Sequence, residues 1–425
     1  MSRNMHGWSN AAGASRFRCS IRSKARRVRS RRSGTMRSGD ALMPSAEIVG
    51  GGIAGLVASI KLARSGWSVR LHERSDALRA GGNGLPIFEN GLRILEALGL
   101  HDVIETRGHQ LNRWIIRLSS GQTTHEYEPF SATGGRIVMF QRQALVDPLA
   151  EAAAKAGVSI EVGSRVIGAE RDGVLHLEGG RRLEADLVVA ADGIQSVVRK
   201  SVAGALPLGT HRKGAIRLLI PIHPGDFPDG NDRVAIEYND PGGRRIGLLP
   251  CSSQTMYMIL VALLSDSEAL QMPIKPELWK ETFPTLGRYI DRVGTAGHYD
   301  EYHSVFPPAW HYGKCVLIGD AAHGMTPALG QGANSAMMTA YSLGASDLLK
   351  GSLSDALTAW EAKIRPLVHF TQKFAEGITE GRLDPKNDIF FSDPALRPLL
   401  SADIPNMRFD MPDMNAVNGP LPSLA

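Results

Sequence analysis

Cysteine is scarce in this chain of 425 residues: Cys19, Cys251 and Cys315 are its three. They lie far apart, with no Cys-x-x-Cys pair and no His-Glu-x-x-His. A disulfide framework and a structural zinc site are therefore not expected, and no metal site is assigned. Isolated thiols of this kind fit buried, inert side chains in a reducing compartment, so a cytoplasmic location is expected. Long apolar runs are missing too. The longest, Met256 to Leu264, has nine residues, whereas a membrane-spanning helix takes roughly 20. There is no glycine period, and an apolar fraction of 43% excludes a disordered chain. At roughly 100–200 residues per domain, the length suggests two or three domains.

Acidic residues are nearly absent from the first 42 positions, where eleven Arg and Lys face Asp40 alone. That segment carries +10 of a total of +5, which leaves the remaining residues at −5. A basic face for nucleic acid is thus not indicated in the folded body. The segment is rich in Ser and Arg and lacks the apolar run of a secretory signal. It has the composition of an organelle-targeting peptide. Two other readings stay open: a basic arm, or sequence upstream of a start at Met36 or Met43. Residues 1–43 are treated as an extension outside the fold, disordered or not native.

From Ala46 the pattern sharpens. Ala46–Val49 reads as a short buried strand running into Gly50-Gly51-Gly52-Ile53-Ala54-Gly55. A helix is expected from about Ala54 to Arg64, ended by Ser65-Gly66. Trp67 to Glu73 then alternates as a second strand. In this G-x-G-x-x-G unit Gly50 makes the tight turn and Gly52 lets the backbone approach a pyrophosphate. Gly55 lets helix and strand pack closely. The phosphates would sit at the helix N-terminus with Ile53 and Ala54. Glu73, with Arg74 beside it, closes the second strand 18 positions after Gly55, where a carboxylate can accept ribose hydroxyls. This unit implies an adenine dinucleotide.

Two further strand–turn–helix units follow. Leu187–Ala190 ends in Asp192-Gly193, with Ser196 and Arg199 one turn apart on the helix beyond. Cys315–Ile318 ends in Gly319-Asp320 and is followed by His323, Pro327, Gly330-Gln331-Gly332-Ala333-Asn334 and a helix from about Ala333 to Leu349. Asp320 offers a carboxylate to sugar-like hydroxyls, and the glycine turn offers backbone N–H groups at a helix start.

In this order the three motifs resemble the single-component FAD-dependent aromatic hydroxylases of the p-hydroxybenzoate hydroxylase type, over about residues 44–380. The resemblance implies FAD as the bound cofactor and NADH or NADPH as a transient co-substrate, since there is no second G-x-G-x-x-G unit. It implies that the first glycines and Glu73 hold the ADP half, and that Arg142 meets FAD from a helix start. Asp192-Gly193 would touch both FAD and the visiting nicotinamide. Asp320 would contact the ribityl region, and Pro327 to Asn334 would line the flavin ring. The implied chemistry is oxygen transfer from a flavin C4a-hydroperoxide to a hydroxylated aromatic acid, with O2 as co-substrate, by hydroxylation or ring opening.

The implied fold is α/β: a Rossmann-like FAD-binding domain (44–205 and 306–380, including a portion near 80–140 that serves the substrate domain), an antiparallel β-sheet substrate domain (206–305) and a C-terminal helix from about Leu353 to Gly377. A Pro-containing tail (381–425) follows. Lys213–Ile220, Arg233–Tyr238, Arg244–Pro250 and Thr255–Leu263 are the expected sheet strands. A homodimer is a further expectation.

A narrower likeness runs through Gly66–Glu73, Glu89–Gly99 and Ala215–Pro221, which look like the branch acting on 3-hydroxypyridine carboxylates. In that branch the Arg matching Arg217 faces the substrate, and pocket tyrosines fall here on Pro86 and Leu248. Arg217, Pro327 and His323 are the candidate catalytic residues: Arg217 to pair a carboxylate or phenolate, Pro327 as a rigid wall, His323 as an acid/base or a loop-orienting group. Tyr238, Tyr257 and His211 are further pocket candidates. The alternatives are an NAD-linked dehydrogenase, a flavin-dependent halogenase (disfavoured because no Trp-x-Trp occurs), a flavin-binding protein without oxygenase activity, and a flavin-dependent oxidoreductase or halogenase of the same fold acting on an uncharged phenolic substrate.

Overall fold

The computed structural model describes residues 43–78, 83–127, 136–227 and 230–381. The N-terminal extension, apart from Met43, and the tail beyond Gly381 lie outside the described residues.

The strand Leu187–Ala190, Leu-Val-Val-Ala, is buried at all four positions. A strand apolar on both faces belongs in the interior of a parallel sheet covered by helices. It sits there, in a six-stranded sheet ordered His311–Tyr312, Cys315–Leu317, Leu187–Ala190, Ser45–Val49, Ser68–His72 and Ser159–Glu161. All neighbours are parallel except the His311–Tyr312 edge. The register aligns Val49 with Ala190 and Ala190 with Leu317. Three motifs separated by more than a hundred residues therefore leave the sheet side by side from its carboxyl edge, the place where open α/β sheets bind ligands.

The first helix, Ile53–Arg64, has nine buried residues and packs on the helix Gly332–Ala345. Small residues allow the approach: a Cβ on Gly344 would lie 2.6 Å from Lys61 Cγ. The second helix is shorter than expected, since Ser346 turns to extended backbone. The last helix is longer, Leu353–Gly381.

A seven-stranded sheet stands over the carboxyl edge, ordered His298–Ser304, Gly209–Pro221, Thr255–Leu263, Arg245–Pro250, Val234–Asn239, Arg113–Leu118 and Thr123–Tyr127. Its last two strands come from the segment before residue 140, and the junction of Val234–Asn239 with Arg113–Leu118 is parallel. Its outer face carries Ile216, Leu218, Tyr238, Ile246, Leu248, Met258 and Leu260, packed with Trp279, Phe283 and Ile290. Each such fully buried side chain contributes roughly 1.5–3 kcal/mol, so this face is the roof's own core. The other face, with Ala215, Arg217, Leu219, Arg245, Tyr257 and Val261, turns toward the motif-bearing loops. A small antiparallel sheet of Gly84–Phe88, Ile137–Gln141 and His109–Leu111 fills the junction. A Cβ on Gly84 would lie 2.4 Å from Tyr257.

Among the described residues no helix is long and apolar enough to cross a membrane. Cys251 and Cys315 are buried free thiols, each pushed up to about 12 by burial, and so inert at neutral pH. Cys19 lies outside the described residues.

Candidate functional site

The first turn is set by backbone geometry. Gly50 has φ +107°, and a Cβ there would lie 2.4 Å from Ala191 O. A Cβ on Gly55 would lie 1.9 Å from Gly50 O. Gly52 differs: a Cβ would meet nothing within 4 Å. The helix that starts there has no side-chain cap, so its first N–H groups face open space. The Gly51 N–H donates to Glu73 Oε2 (2.9 Å) and the Ser75 N–H to Glu73 Oε1 (2.9 Å), which pins the carboxylate beside the turn. Arg74 is exposed. An open volume, a bare helix start and a fixed carboxylate fit the pyrophosphate and ribose of a dinucleotide.

The second motif is a brace. Asp192 accepts Ser196 Oγ (2.5 Å) and the N–H groups of Val197 (2.8 Å) and Val198 (3.2 Å). Burial pushes its carboxyl up, and these bonds oppose the rise. Ser196 caps the helix by accepting the Arg199 N–H at 2.9 Å. Buried Arg199 donates to Ala321 O (2.9 Å) and Ile194 O (2.5 Å), fastening this turn to the third one. Gly193 has φ +83° with open space where a Cβ would be. The motif thus offers a ligand the open edge at Gly193, while its Asp is engaged by its own turn.

The third motif forms the floor. Gly319 has φ +56° and presses on Ala54 (2.9 Å from a built Cβ). Asp320 is exposed, yet that exposure is to a protein-walled cleft. Burial pushes its carboxyl up, while Arg142 and Arg217 draw it back down. Arg142, exposed at the first position of the helix Arg142–Lys155, and Arg217 therefore converge on Asp320 from two other elements. Pro327 is exposed and opens a 3-10 turn to Leu329. Gly330 has φ +65° and touches Pro86 and Phe88.

The helix from Gly332 also lacks a side-chain cap. A Cβ on Gly332 would meet nothing within 4 Å, and Ala333 is half-buried. This second bare helix start fits a polar flavin edge. Asn334 is fully buried. Its Oδ1 accepts the Phe88 N–H (3.0 Å), and its Nδ2 donates to Gly330 O (3.0 Å) and Pro86 O (3.2 Å). It ties the loop to the small sheet and does not face the cleft.

His323 is not on the cleft either. It is fully buried behind the Gly319-Asp320 turn, with Nε2 3.1 Å from Thr339 Oγ1 and its ring 5.3 Å from that of Trp310. Burial lowers its pKa to about 3, so it is a neutral core imidazole that orients the turn rather than a catalytic acid/base.

On the roof, Arg217 pairs with Asp300 (Nη1 to Oδ2, 3.2 Å), and Tyr257 lies buried on the same face, its hydroxyl pushed up by burial. Tyr238 and Leu248 belong to the outer core instead. His211 is buried beside the edge strand His298–Ser304, Nε2 3.1 Å from Ser304 Oγ and Nδ1 3.3 Å from Glu380 Oε1. Sequence reasoning missed Asp300, Arg245 and its partner Glu237 (2.8 Å). Strand alternation from Lys213 to Leu219 pointed to the face, but nothing local pointed to the partners.

Three strand-end turns converging under a roof sheet define a flavin-dependent oxygenase architecture. The family described as FAD binding domain matches residues 44–357, and the chain belongs to it. It is an FAD-dependent aromatic-ring monooxygenase, a class whose typical co-substrate is NAD(P)H. It is 35% identical over 331 residues to a putative 2-heptyl-3-hydroxy-4(1H)-quinolone synthase of Rhodococcus erythropolis, covering 78% of this chain and 86% of the relative. It is 28% identical to the 3-amino-4-hydroxybenzoate 2-monooxygenase of Streptomyces cremeus, covering 78% and 86%. Among solved structures, a variant of 2-methyl-3-hydroxypyridine-5-carboxylic acid oxygenase superposes with a TM-score of 0.78 at 36% identity, covering 87% of this chain and 97% of that one.

Proposed function

We propose that the chain adds oxygen to a pyridine-type ring that carries an oxygen substituent, either a 3-hydroxypyridine carboxylate or its benzo-fused relative, a 4-quinolone. The single observation that carries this reading is the Arg217–Asp300 pair on the cleft face of the roof, electrostatically in reach of Asp320. Two relatives support it, since their names share that ring chemistry.

When bound, FAD reduced by NAD(P)H supplies the oxygen atom from O2. The glycine turns and Glu73 hold its ADP half, Arg142 and Asp320 flank its sugar-like chain, and the Pro327 loop with Gly332 and Ala333 borders its ring. Residues 44–205 and 306–380 serve the cofactor in this reading, and 206–305 the substrate. Arg217 donates to the ring oxygen and favours its electron-rich, deprotonated form. Asp300 holds the guanidinium in place and leaves the pair nearly neutral, so the pair suits a phenolate or a polarised carbonyl better than a second full carboxylate. Tyr257 and the strand Gly84–Phe88 exclude water from the junction.

The test is NADH and NADPH oxidation, with oxygen uptake and product mass, across hydroxypyridine carboxylates, 4-quinolones and hydroxybenzoates. The expected result is oxidation stimulated by pyridine-type rings, with one oxygen gained for hydroxylation or two for ring opening. Stimulation by hydroxybenzoates alone would refute the substrate class.

A further inference from the structure

The last helix, Leu353–Gly381, changes character along its buried face. Leu357, Ile364 and Val368 belong to the large apolar core. Further along, the same stripe is polar: Gln372 and Thr379 are 0% and 2% exposed. Buried polar groups are costly unless they are bonded, so their partners show what this end of the helix holds. Gln372 Nε2 donates to Val305 O (2.9 Å) and Gly324 O (3.1 Å). Thr379 Oγ1 donates to Thr326 Oγ1 (2.8 Å), which donates in turn to Ala375 O (2.9 Å). Between them, Glu376 accepts Ser304 Oγ at 2.6 Å. Ser304 ends the edge strand of the roof, whereas Gly324 and Thr326 lead into the loop that carries Pro327. One stretch of helix therefore grips the roof and the flavin-side loop together.

The loop is fixed at both ends. Gly324 O also accepts the Val305 N–H at 3.1 Å, and a Cβ on Gly324 would lie 2.1 Å from Ile194 Cδ1, in the turn of the second motif. At the far end Asn334 Nδ2 holds Gly330 O. Pro327 is the one exposed residue from 324 to 330, while the Thr326 side chain before it is buried against the helix. Hydrogen bonds are directional and apolar contacts are not. A polar stripe sets the loop at one register on the helix, where an apolar stripe would let it slide.

We propose that Thr326, Thr379 and Gln372 are positioning residues for the flavin ring: they seat Pro327 at the ring and keep that wall in register with the roof. This rests on the reading above that the Pro327 loop borders the ring. None of the three faces the cleft, so each acts through the loop.

The experiment records the visible flavin band, iodide quenching of flavin fluorescence and thermal unfolding of the FAD-loaded full chain, with no substrate added. Thr326→Val keeps the branched shape and removes the hydroxyl, and Thr379 still has Ala375 O as acceptor (2.9 Å). The variant is expected to retain flavin, to shift the visible band, and to raise the iodide quenching constant about threefold, the scale of one neutral hydrogen bond. Thr326→Ser, which restores the hydroxyl, is expected to return both to the wild-type values. Gln372→Met, which removes two donors, is expected to change both further. A lowered melting temperature with an unmoved band and quenching constant in Thr326→Val would mean a structural role alone and overturn the proposal, as would failure of Thr326→Ser to restore them. If Thr326→Val does not retain flavin, Gln372→Met decides by the same readings. Pro327→Ala separates the two ways to fail. If it moves the flavin readings and Thr326→Val does not, the clasp is wrong; if neither moves them, the placing of the loop at the ring is wrong and the clasp falls with it.

Discussion

On the floor of the cleft the groups offered to a ligand are backbone N–H groups at two uncapped helix starts, Gly52 and Gly332. On the roof they are side chains: Arg217, paired with Asp300, and Tyr257. A floor of backbone can be specified only through residues that permit its conformation, so it is written in glycine and cannot drift. A roof of side chains can exchange its contacts while the sheet keeps its outer core. The comparison teaches why cofactor and substrate are legible to such different degrees, and each half can be broken separately.

The largest effect is expected at Gly55. Gly55→Val would drive a Cβ into Gly50 O at 1.9 Å, backbone against backbone, and should abolish folding, read as loss of soluble protein and of a cooperative melt. Gly52→Val sharpens the contrast. With open space around it, the variant should fold with the far-ultraviolet circular dichroism of the wild type but carry no flavin band. A yellow Gly52→Val protein would remove this turn from the cofactor site.

Arg217→Ala comes next. Losing a charged donor should raise the KM of pyridine-type substrates about tenfold or more, and Asp300, left alone, should add to the penalty. The double variant with Asp300→Asn should recover part of the loss. Full additivity would mean that the pair does not act as one unit.

A smaller effect concerns acid stability. His323 is held neutral with its pKa lowered to about 3, against about 6.5 in an unfolded chain. Its contribution is complete above pH 6.5 and is lost as the pH falls toward 3, because the unfolded state takes up the proton first. The slope is about 1.4 kcal/mol per pH unit. His323→Phe should show a shallower decline in urea-unfolding free energy between pH 6 and 4. An unchanged slope would mean that the ring is charged in the folded protein. Smallest of all for activity, Tyr238→Phe should change the kinetics less than about twofold, since that side chain lies in the outer core and its hydroxyl meets Arg117 Nη1 at 3.1 Å, away from the cleft; steady-state kinetics of the variant check it.

Much of the floor could be read from the chain because each turn sits between an apolar strand and a helix, and its glycines have no substitute. The strand Leu187–Ala190 and the roof strands were likewise visible as short apolar runs between turns. What could not be read were matters of register. Tyr238 was a pocket candidate because it sits on a roof strand, and pairing with Ile246 shows that it takes the outer face. Asp300 reaches Arg217 because Ala215 is aligned with it across two strands, a relation with no local signature. His323 reads in sequence as an acid/base or a loop-orienting group; the burial that selects the second comes from Trp310 and the last helix, elements outside its local sequence pattern. Asn334 looked like a flavin ligand, and its three hydrogen bonds instead lock the loop that carries Pro327.

The most direct measurement is product mass after turnover under oxygen-18 gas, with FAD-loaded protein, NAD(P)H and a 3-hydroxypyridine carboxylate or a 4-quinolone. The account predicts product labelled from O2 in step with NAD(P)H consumed, and loss of that label in Arg217→Ala at the same substrate concentration. NAD(P)H consumption that yields hydrogen peroxide and no labelled ring, with every pyridine-type compound, would contradict it.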